Sequence, residues 1–225
     1  MTVYVEAQHE PGYTVGVAEL VSWASVQRVY CEIFVALPME ASPKARFLAE
    51  LKRNGVGVLL VGDDGSVTTY AGSRNPALVA TPDPTLKLGR CKGEVLREVA
   101  RFNDVDRTGA LRAMCEIVER ETDVLVKRLA RKKWISKSVA EVTAMDWSTQ
   151  INIAASANVV AAGKTPIIDD KTKADLQSFR GARNLIDHKA STKHAEKKRQ
   201  TQFAERMLMG PRLTAELLTL QRKVV

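Results

Sequence analysis

The chain is 225 residues long, with 45% hydrophobic and 5% aromatic residues, a formal net charge of +8 and an isoelectric point near 9.5. This length allows one large domain or two small ones, with a core of mostly Ala, Val, Leu and Ile. The charge favours an anionic partner, nucleic acid before a membrane surface, and no apolar run reaches the roughly 20 residues of a membrane span.

Residues 3–8 (VYVEAQ) read as a short strand. A helix follows over 16–29, with Val17, Leu20, Val21 and Ala24 at helical spacing. The continuous apolar run CEIFVAL at 31–37 has the character of a buried parallel strand. Pro43 to Arg53 predicts a second helix, with Pro43 in its first turn and Asn54-Gly55 closing it. Val56–Val61 is a further strand, and Asp64-Gly65 a hairpin turn into Ser66–Tyr70. The order β-α-β-α-β-β fits a small α/β sheet domain over 1–71.

Residues 72–92, with Gly72, Pro76, Pro82, Pro84 and Gly89, read as a linker. Beyond it the character is helical, with segments expected at about 93–102, 107–133, 137–162, 170–190 and 193–222. Asp106 and Ser136 are expected to cap the second and third. Gly163 is expected to end the third, and Gly210-Pro211 to break the last. The fold class is therefore α+β: an N-terminal α/β sheet domain followed by an all-α bundle of four or five helices over 93–225. The charge follows this division. Residues 1–90 hold 8 Lys/Arg and 9 Asp/Glu, whereas residues 91–225 hold 26 and 17.

The three cysteines, Cys31, Cys91 and Cys115, are odd in number, widely spaced and without a CxxC pattern. That argues against structural zinc and a disulfide framework, and for reduced thiols in the cytoplasm. The N-terminus shows no basic-then-apolar signal pattern. The best apolar run, Ile151 to Ala162, is interrupted by Asn152, Ser156 and Asn158. The spacing of Gly55, Gly57, Gly62 and Gly65 fits neither of the common phosphate-loop patterns.

The densest chemistry lies at Arg183-Asn184-Leu185-Ile186-Asp187-His188. It places a permanent cation, an amide and a titratable imidazole within one and a half helical turns. His188 is one of only three histidines, with His9 and His194. Within a helix over 170–190, Leu176, Phe179, Ala182 and Ile186 form an apolar stripe, and Gln177, Arg180, Asn184 and His188 a polar one. Arg183 lies off the face of Asn184 and His188 by about 140° and must reach across it with its long stem. Arg180 lines up better with that face. Arg183 and Asp187 form an i, i+4 pair that accounts for both residues without any catalysis. His188, near a helix end, would likewise interact with the dipole. Two basic clusters flank the region: Lys127, Arg128, Arg131, Lys132 and Lys133, and then Lys189, Lys193, His194, Lys197, Lys198 and Arg199. Either can track phosphates or simply be a solvated helix face.

The R-N-x-x-x-H pattern on a late helix of an all-α domain resembles the signature of the HEPN superfamily, many of whose members are metal-independent ribonucleases, often toxins or antiviral effectors. The resemblance covers about residues 93–225. It implies Arg183 and His188 as a catalytic pair with Asn184 beside them, two copies meeting in a dimer cleft, RNA as substrate, no cofactor and no metal. It also suggests an antitoxin or regulatory partner. Some members are inactive adaptors, so a non-catalytic nucleic-acid-binding or regulatory protein is the second expectation. The N-terminal part resembles the later half of the PD-(D/E)XK restriction-endonuclease fold, which holds Mg²⁺ with an acidic residue and activates water with a lysine two positions on. The aligned pair here is Glu6 and Gln8. With the lysine missing, this implies a degenerate nuclease-like part, and a Mg²⁺-dependent DNA nuclease ranks third.

Overall fold

The structure, a computed structural model, describes residues 2–8, 15–27, 31–75, 78–104, 106–156, 166–187 and 192–224; the side chains of Thr2, Lys193, His194 and Lys197 are outside that description. The chain is α+β and divides into two compact units, Met1–Thr81 and Pro82–Val225. The expected capping role of Gly163, and most of the run to Ala162, fall outside the described residues.

The first unit is a four-stranded sheet in the order β1 (Thr2–Ala7), β2 (Cys31–Pro38), β3 (Gly57–Val61), β4 (Val67–Ala71). The first three strands are parallel, and β4 returns antiparallel to β3. Helices α1 (Val15–Val26) and α2 (Ala45–Arg53) form the two crossovers. Both crossovers step in the same direction across the sheet. Their common handedness therefore puts both helices on one face. The core confirms this: Val17, Val21 and Ala24 of α1 and Phe47 and Leu51 of α2 pack on alternate residues of β2, Cys31, Ile33, Val35 and Leu37. Pro43 stands outside α2, which begins at Ala45; Lys44, with extended backbone, is its N-cap residue. Gly55 and Gly65 adopt left-handed φ values of +75° and +79°, ending α2 and turning the β3–β4 hairpin.

The second unit is helical. A 3₁₀ turn (Gly89–Cys91) leads into α3 (Lys92–Asp104), then α4 (Arg107–Arg131), α5 (Val139–Thr143), α6 (Trp147–Ala154), α7 (Asp170–Arg180), α8 (Ala182–Asp187) and α9 (Lys193–Lys223). Helix α4 is the centre: it buries Leu111, Met114, Cys115, Val118, Leu125 and Leu129, among others, and packs against α3, α5, α6, α8 and α9. As expected, Asp106 caps it, accepting from Gly109 N–H at 2.7 Å.

Three helix boundaries differ from expectation. The described part of the 137–162 segment, up to Ser156, holds two short helices, α5 and α6. Ser138, not Ser136, caps α5, because Ser138 and Glu141 form a reciprocal capping box. Asp146 then caps α6. The 170–190 segment is interrupted at Gly181, where Asn184 N–H reaches back to the Gly181 carbonyl at 3.1 Å in a tight three-residue step. Finally, α9 runs unbroken through Gly210-Pro211. A Cβ at Gly210 would stand 2.3 Å from Met114 Cγ, so the glycine lets α9 lie close on α4. Packing on both sides of the proline outweighs the one backbone bond it removes.

Candidate functional site

The motif residues are held by α4. Short helix α8 runs antiparallel along it, so residues one turn apart on α8 meet residues two turns apart on α4. The Arg183 guanidinium donates to the Glu119 carboxylate. The Arg112 guanidinium donates to Asp187 at 3.0 Å. The expected i, i+4 pair between Arg183 and Asp187 is thus replaced by two cross-helix pairs, because each side chain finds its opposite charge on the neighbouring helix.

Arg183 has a second contact. Its Cζ lies 5.4 Å from the centre of the Trp147 ring, within cation–π range. Trp147 is 4% exposed and fixed from two sides. Its indole N–H donates to Thr122 Oγ1 at 3.3 Å, and its ring meets Phe179 edge-to-face at 6.4 Å. Glu119 and Thr122 are three apart on α4 and so share a face. One face of α4 therefore holds both the guanidinium and the ring beneath it. The Arg183 side chain remains 43% exposed, so it is anchored at one end and open to solvent at the other.

Asn184 is exposed and follows Arg183 on α8. His188 and Lys189 lie outside the described residues. Arg180 belongs to α7, before the Gly181 break. Its Nε donates to Gln177 Oε1 at 3.0 Å, and Gln177 in turn bonds Ser148 and Asn152 of α6. It sits in an exposed polar strip between α6 and α7 and makes its described contact with Gln177 rather than with Glu119.

The basic clusters separate into engaged and open cations. Arg199 turns onto α8: its Nε donates to the Leu185 carbonyl at 3.0 Å, and its Cζ stacks 4.8 Å over the Phe203 ring. It thereby satisfies a carbonyl in the last turn of the motif helix. Lys198 is exposed, and Lys193 and Lys197 lie on the first turns of α9. Lys127 pairs with Asp123 at 2.8 Å, whereas Arg131 and Lys132 are exposed at the end of α4. Arg128 ties α4 to the end of α9 through the Gln221 carbonyl at 2.8 Å.

Beneath the site, Cys115 is fully buried, and burial pushes its thiol up to about 12 despite the nearby Arg183 charge. Burial also raises Cys31 and Cys91, which favours the thiol over the nucleophilic thiolate at all three cysteines. In the sheet unit, Gln8 Nε2 donates to Glu6 Oε1 at 2.9 Å. Among the described residues no group of three His, Cys, Asp or Glu side chains is placed to hold a metal ion, and no helix is long and apolar enough to cross a membrane.

Glu119, Trp147, Thr122 and Arg112 were not singled out by sequence reasoning. The one available signal was on α4, where Arg112 and Glu119 lie two turns apart with opposite charges. No protein-family model, curated protein or solved structure matches this chain.

Proposed function

We propose that the helical unit is a metal-independent endoribonuclease that uses Arg183 and His188, with Asn184 beside them. The observation that carries the reading is the anchoring of Arg183. A guanidinium fixed by Glu119 and Trp147, yet 43% exposed, is pre-oriented on the turn that leads to His188. In the proposed reaction the RNA 2′-hydroxyl attacks the adjacent phosphorus and gives its proton to a base. The bond to the 5′-oxygen breaks, and that oxygen takes up a proton. The products are a 2′,3′-cyclic phosphate and a 5′-hydroxyl. An imidazole suits the proton transfers near neutrality, and a guanidinium suits the charge growing on the phosphoryl oxygens. The exposed cations Arg131, Lys132 and Lys198 would guide the RNA backbone. By the HEPN resemblance, the working form is a cytoplasmic homodimer with a defence or toxin role, held in check by an antitoxin or other regulatory partner.

One observation favours the alternative, a non-catalytic RNA-binding or regulatory protein. Arg183 and Arg199 are both already engaged, with Glu119 and the Leu185 carbonyl. The test is cleavage of mixed cellular RNA in EDTA by wild type and by His188→Ala. Cutting by wild type alone, leaving cyclic-phosphate ends, supports the enzyme. Salt-dependent RNA binding without turnover supports the alternative.

A further inference from the structure

Unpaired positive charge in the helical unit gathers at one end. Helices α4 and α9 run in the same sense: Arg107 reaches Gln200 at 3.3 Å near their starts, Gly210 packs on Met114, and Arg128 donates to the Gln221 carbonyl at 2.8 Å near their ends. Their C-termini therefore share one end of the unit. The 3₁₀ turn before α3 is there too: Arg90 donates to Gln221 Oε1 at 3.1 Å, and a Cβ at Gly89 would stand 3.6 Å from the Arg222 guanidinium. The three segments that meet at this end, 84–93, 124–140 and 217–224, hold eleven Lys/Arg and no Asp/Glu. Four of the eleven are engaged: Arg90 with Glu121, Arg128 with Gln221, Lys127 with Asp123 and Lys137 with Glu141. The other seven are exposed, with no side-chain partner among the described residues. Arg131, Lys132 and Lys133 close α4. Arg222 and Lys223 close α9, and Lys87 and Lys92 flank the 3₁₀ turn.

The bordering carboxylates are taken up elsewhere. Asp83 accepts from the N–H and hydroxyl of Thr85 at 2.8 and 2.7 Å, and Glu94 from Arg120 at 2.7 Å. The two helix C-termini present about half a negative charge each, far short of balancing the seven cations. The rest of the unit is different. Of its fourteen arginines, Arg131 and Arg222 are the two without a partner among the described residues. Lys133 completes its run of three cations at φ +58°, a conformation that favours glycine, so this charge is held against the backbone's preference.

We propose that this end is a docking site for the phosphodiester backbone of a nucleic acid, separate from the Arg183 site. Arg131 lies twelve residues beyond Glu119 on α4, about 18 Å along the helix axis. Free cations with no carboxylate left to answer them are complementary to a polyanion. A protein partner or an inserted lipid surface needs apolar side chains to bury. No exposed large hydrophobic residue lies in these segments, and Trp134 and Ile135 are half-buried. Contact is therefore with phosphate, without preference for sequence or sugar. The inference rests on the ribonuclease reading only in naming RNA as the natural ligand. It extends the guiding role of Arg131 and Lys132 to a whole end of the unit.

The test is fluorescence anisotropy of a labelled thymidine oligomer of about 20 nucleotides, titrated with the full chain at about 50 to 200 mM salt. The oligomer lacks the 2′-hydroxyl, so binding is read apart from cleavage. One variant combines Arg131→Gln, Arg222→Gln and Lys223→Gln. Its control combines Lys44→Gln, Arg46→Gln and Arg53→Gln in and beside α2, which are also exposed and unpaired and change the net charge equally. The expected result is binding weakened at least tenfold by the first triple, with a salt slope shallower by about 2, three phosphate contacts at about 0.7 each. The control should shift affinity less than about threefold. Lys87→Gln with Lys92→Gln, on a different segment, should lower the slope by about 1.4 and holds the test open if the first triple fails to fold. Wild type that does not bind the oligomer at the lowest salt would overturn the proposal. So would two triples that weaken binding alike, since binding would then follow net charge and not this site. Tighter binding to phosphatidylserine vesicles than to the oligomer would assign the end to a lipid surface and also refute it. The two readings fail separately. A chain that binds through this end without cutting RNA keeps the docking site and loses the enzyme; one that cuts RNA through His188 while the triple binds normally does the reverse.

Discussion

Replacing Arg183 separates a catalytic role from a structural one, because the structure bounds what the side chain contributes to stability. Its ion pair with Glu119 is half exposed, with side-chain accessibilities of 43% and 33%. Pairs of that kind contribute about 0.5 kcal/mol. The stacking on Trp147 adds about 0.5–1 kcal/mol. Arg183→Ala should thus cost about 1–1.5 kcal/mol, a melting shift of about 3–5 °C for a unit of this size. Losing a group that stabilises charge in the transition state costs about 10²–10³ in rate. The assay pairs a thermal melt with RNA cleavage in EDTA at several salt concentrations. The expected variant is folded at assay temperature, cleaves at most one-hundredth as fast, and binds RNA with a salt slope shallower by about 0.7, one phosphate contact on a single strand. Arg183→Lys keeps a charge for Glu119 but loses the planar stack, and should fall between the two. Cleavage surviving in Arg183→Ala while His188→Ala is inactive would refute the pairing of the two residues. A melting loss above about 10 °C would show that the bound on stability is wrong.

Three further outcomes follow from the helix ends and the close crossing. Lys133 holds φ +58° at the end of α4, where its N–H bonds Ala130 and the N–H of Trp134 bonds Leu129, the pattern usually completed by glycine. Lys133→Gly should raise stability by about 0.5–1 kcal/mol in denaturant titration, and a loss would refute the strain argument. Gly210→Val should destabilise by about 1–3 kcal/mol, since even a Cβ would meet Met114 Cγ at 2.3 Å and Phe179 Cζ at 3.3 Å; an unchanged melt would mean that α9 does not lie that close to α4. Backbone N–H groups at helix starts hold the capping carboxyls below their usual range: Gly109 for Asp106, Thr149 for Asp146, Thr172 for Asp169, and Ser138 for Glu141, which lies at about 2. Depressed carboxyls give stability that is complete above the unfolded range near pH 4 and is lost as pH falls toward 2. Melting temperature should drop over that interval, and less steeply in Asp106→Asn, whose amide oxygen caps without titrating; an equal slope in the variant would discount the cap.

What could be read directly from the residues was local. The run CEIFVAL marks β2 because a strand buried on one face and lined by apolar neighbours on the other has no polar alternation to show. Asp106 marks the start of α4 because capping needs only a carboxyl three residues ahead of an N–H. The boundaries that were misread depended on competition. Ser136 and Ser138 are both acceptable caps, and only the Glu141 partner of Ser138 decides between them. Gly210-Pro211 breaks an isolated helix, but here Met114 and Phe179 pack against Gly210, and Thr214 Oγ1 donates to the Gly210 carbonyl at 2.9 Å.

The motif poses the same problem at the level of function. Arg183 and Asp187 are four apart, and counting alone pairs them; Glu119 and Arg112 take them instead, 64 and 75 positions away in sequence. Counting through Gly181 as if α7 and α8 were one helix also put Arg180 in line with Asn184, whereas the tight step at that glycine separates their helices. An i, i+4 pair would have bound the guanidinium to its own helix and left Trp147 uncovered. The cross-helix arrangement instead fixes Arg183 against α4 and α6 while its far side stays open to solvent. If the proposed chemistry is right, Glu119 is the residue whose removal should be most informative after Arg183 and His188. Glu119→Gln keeps the shape and a hydrogen-bond acceptor but releases the charge, so RNA affinity should rise while the cleavage rate falls with the loosened guanidinium. A rise in both would make Glu119 a competitor of the substrate rather than a support for Arg183.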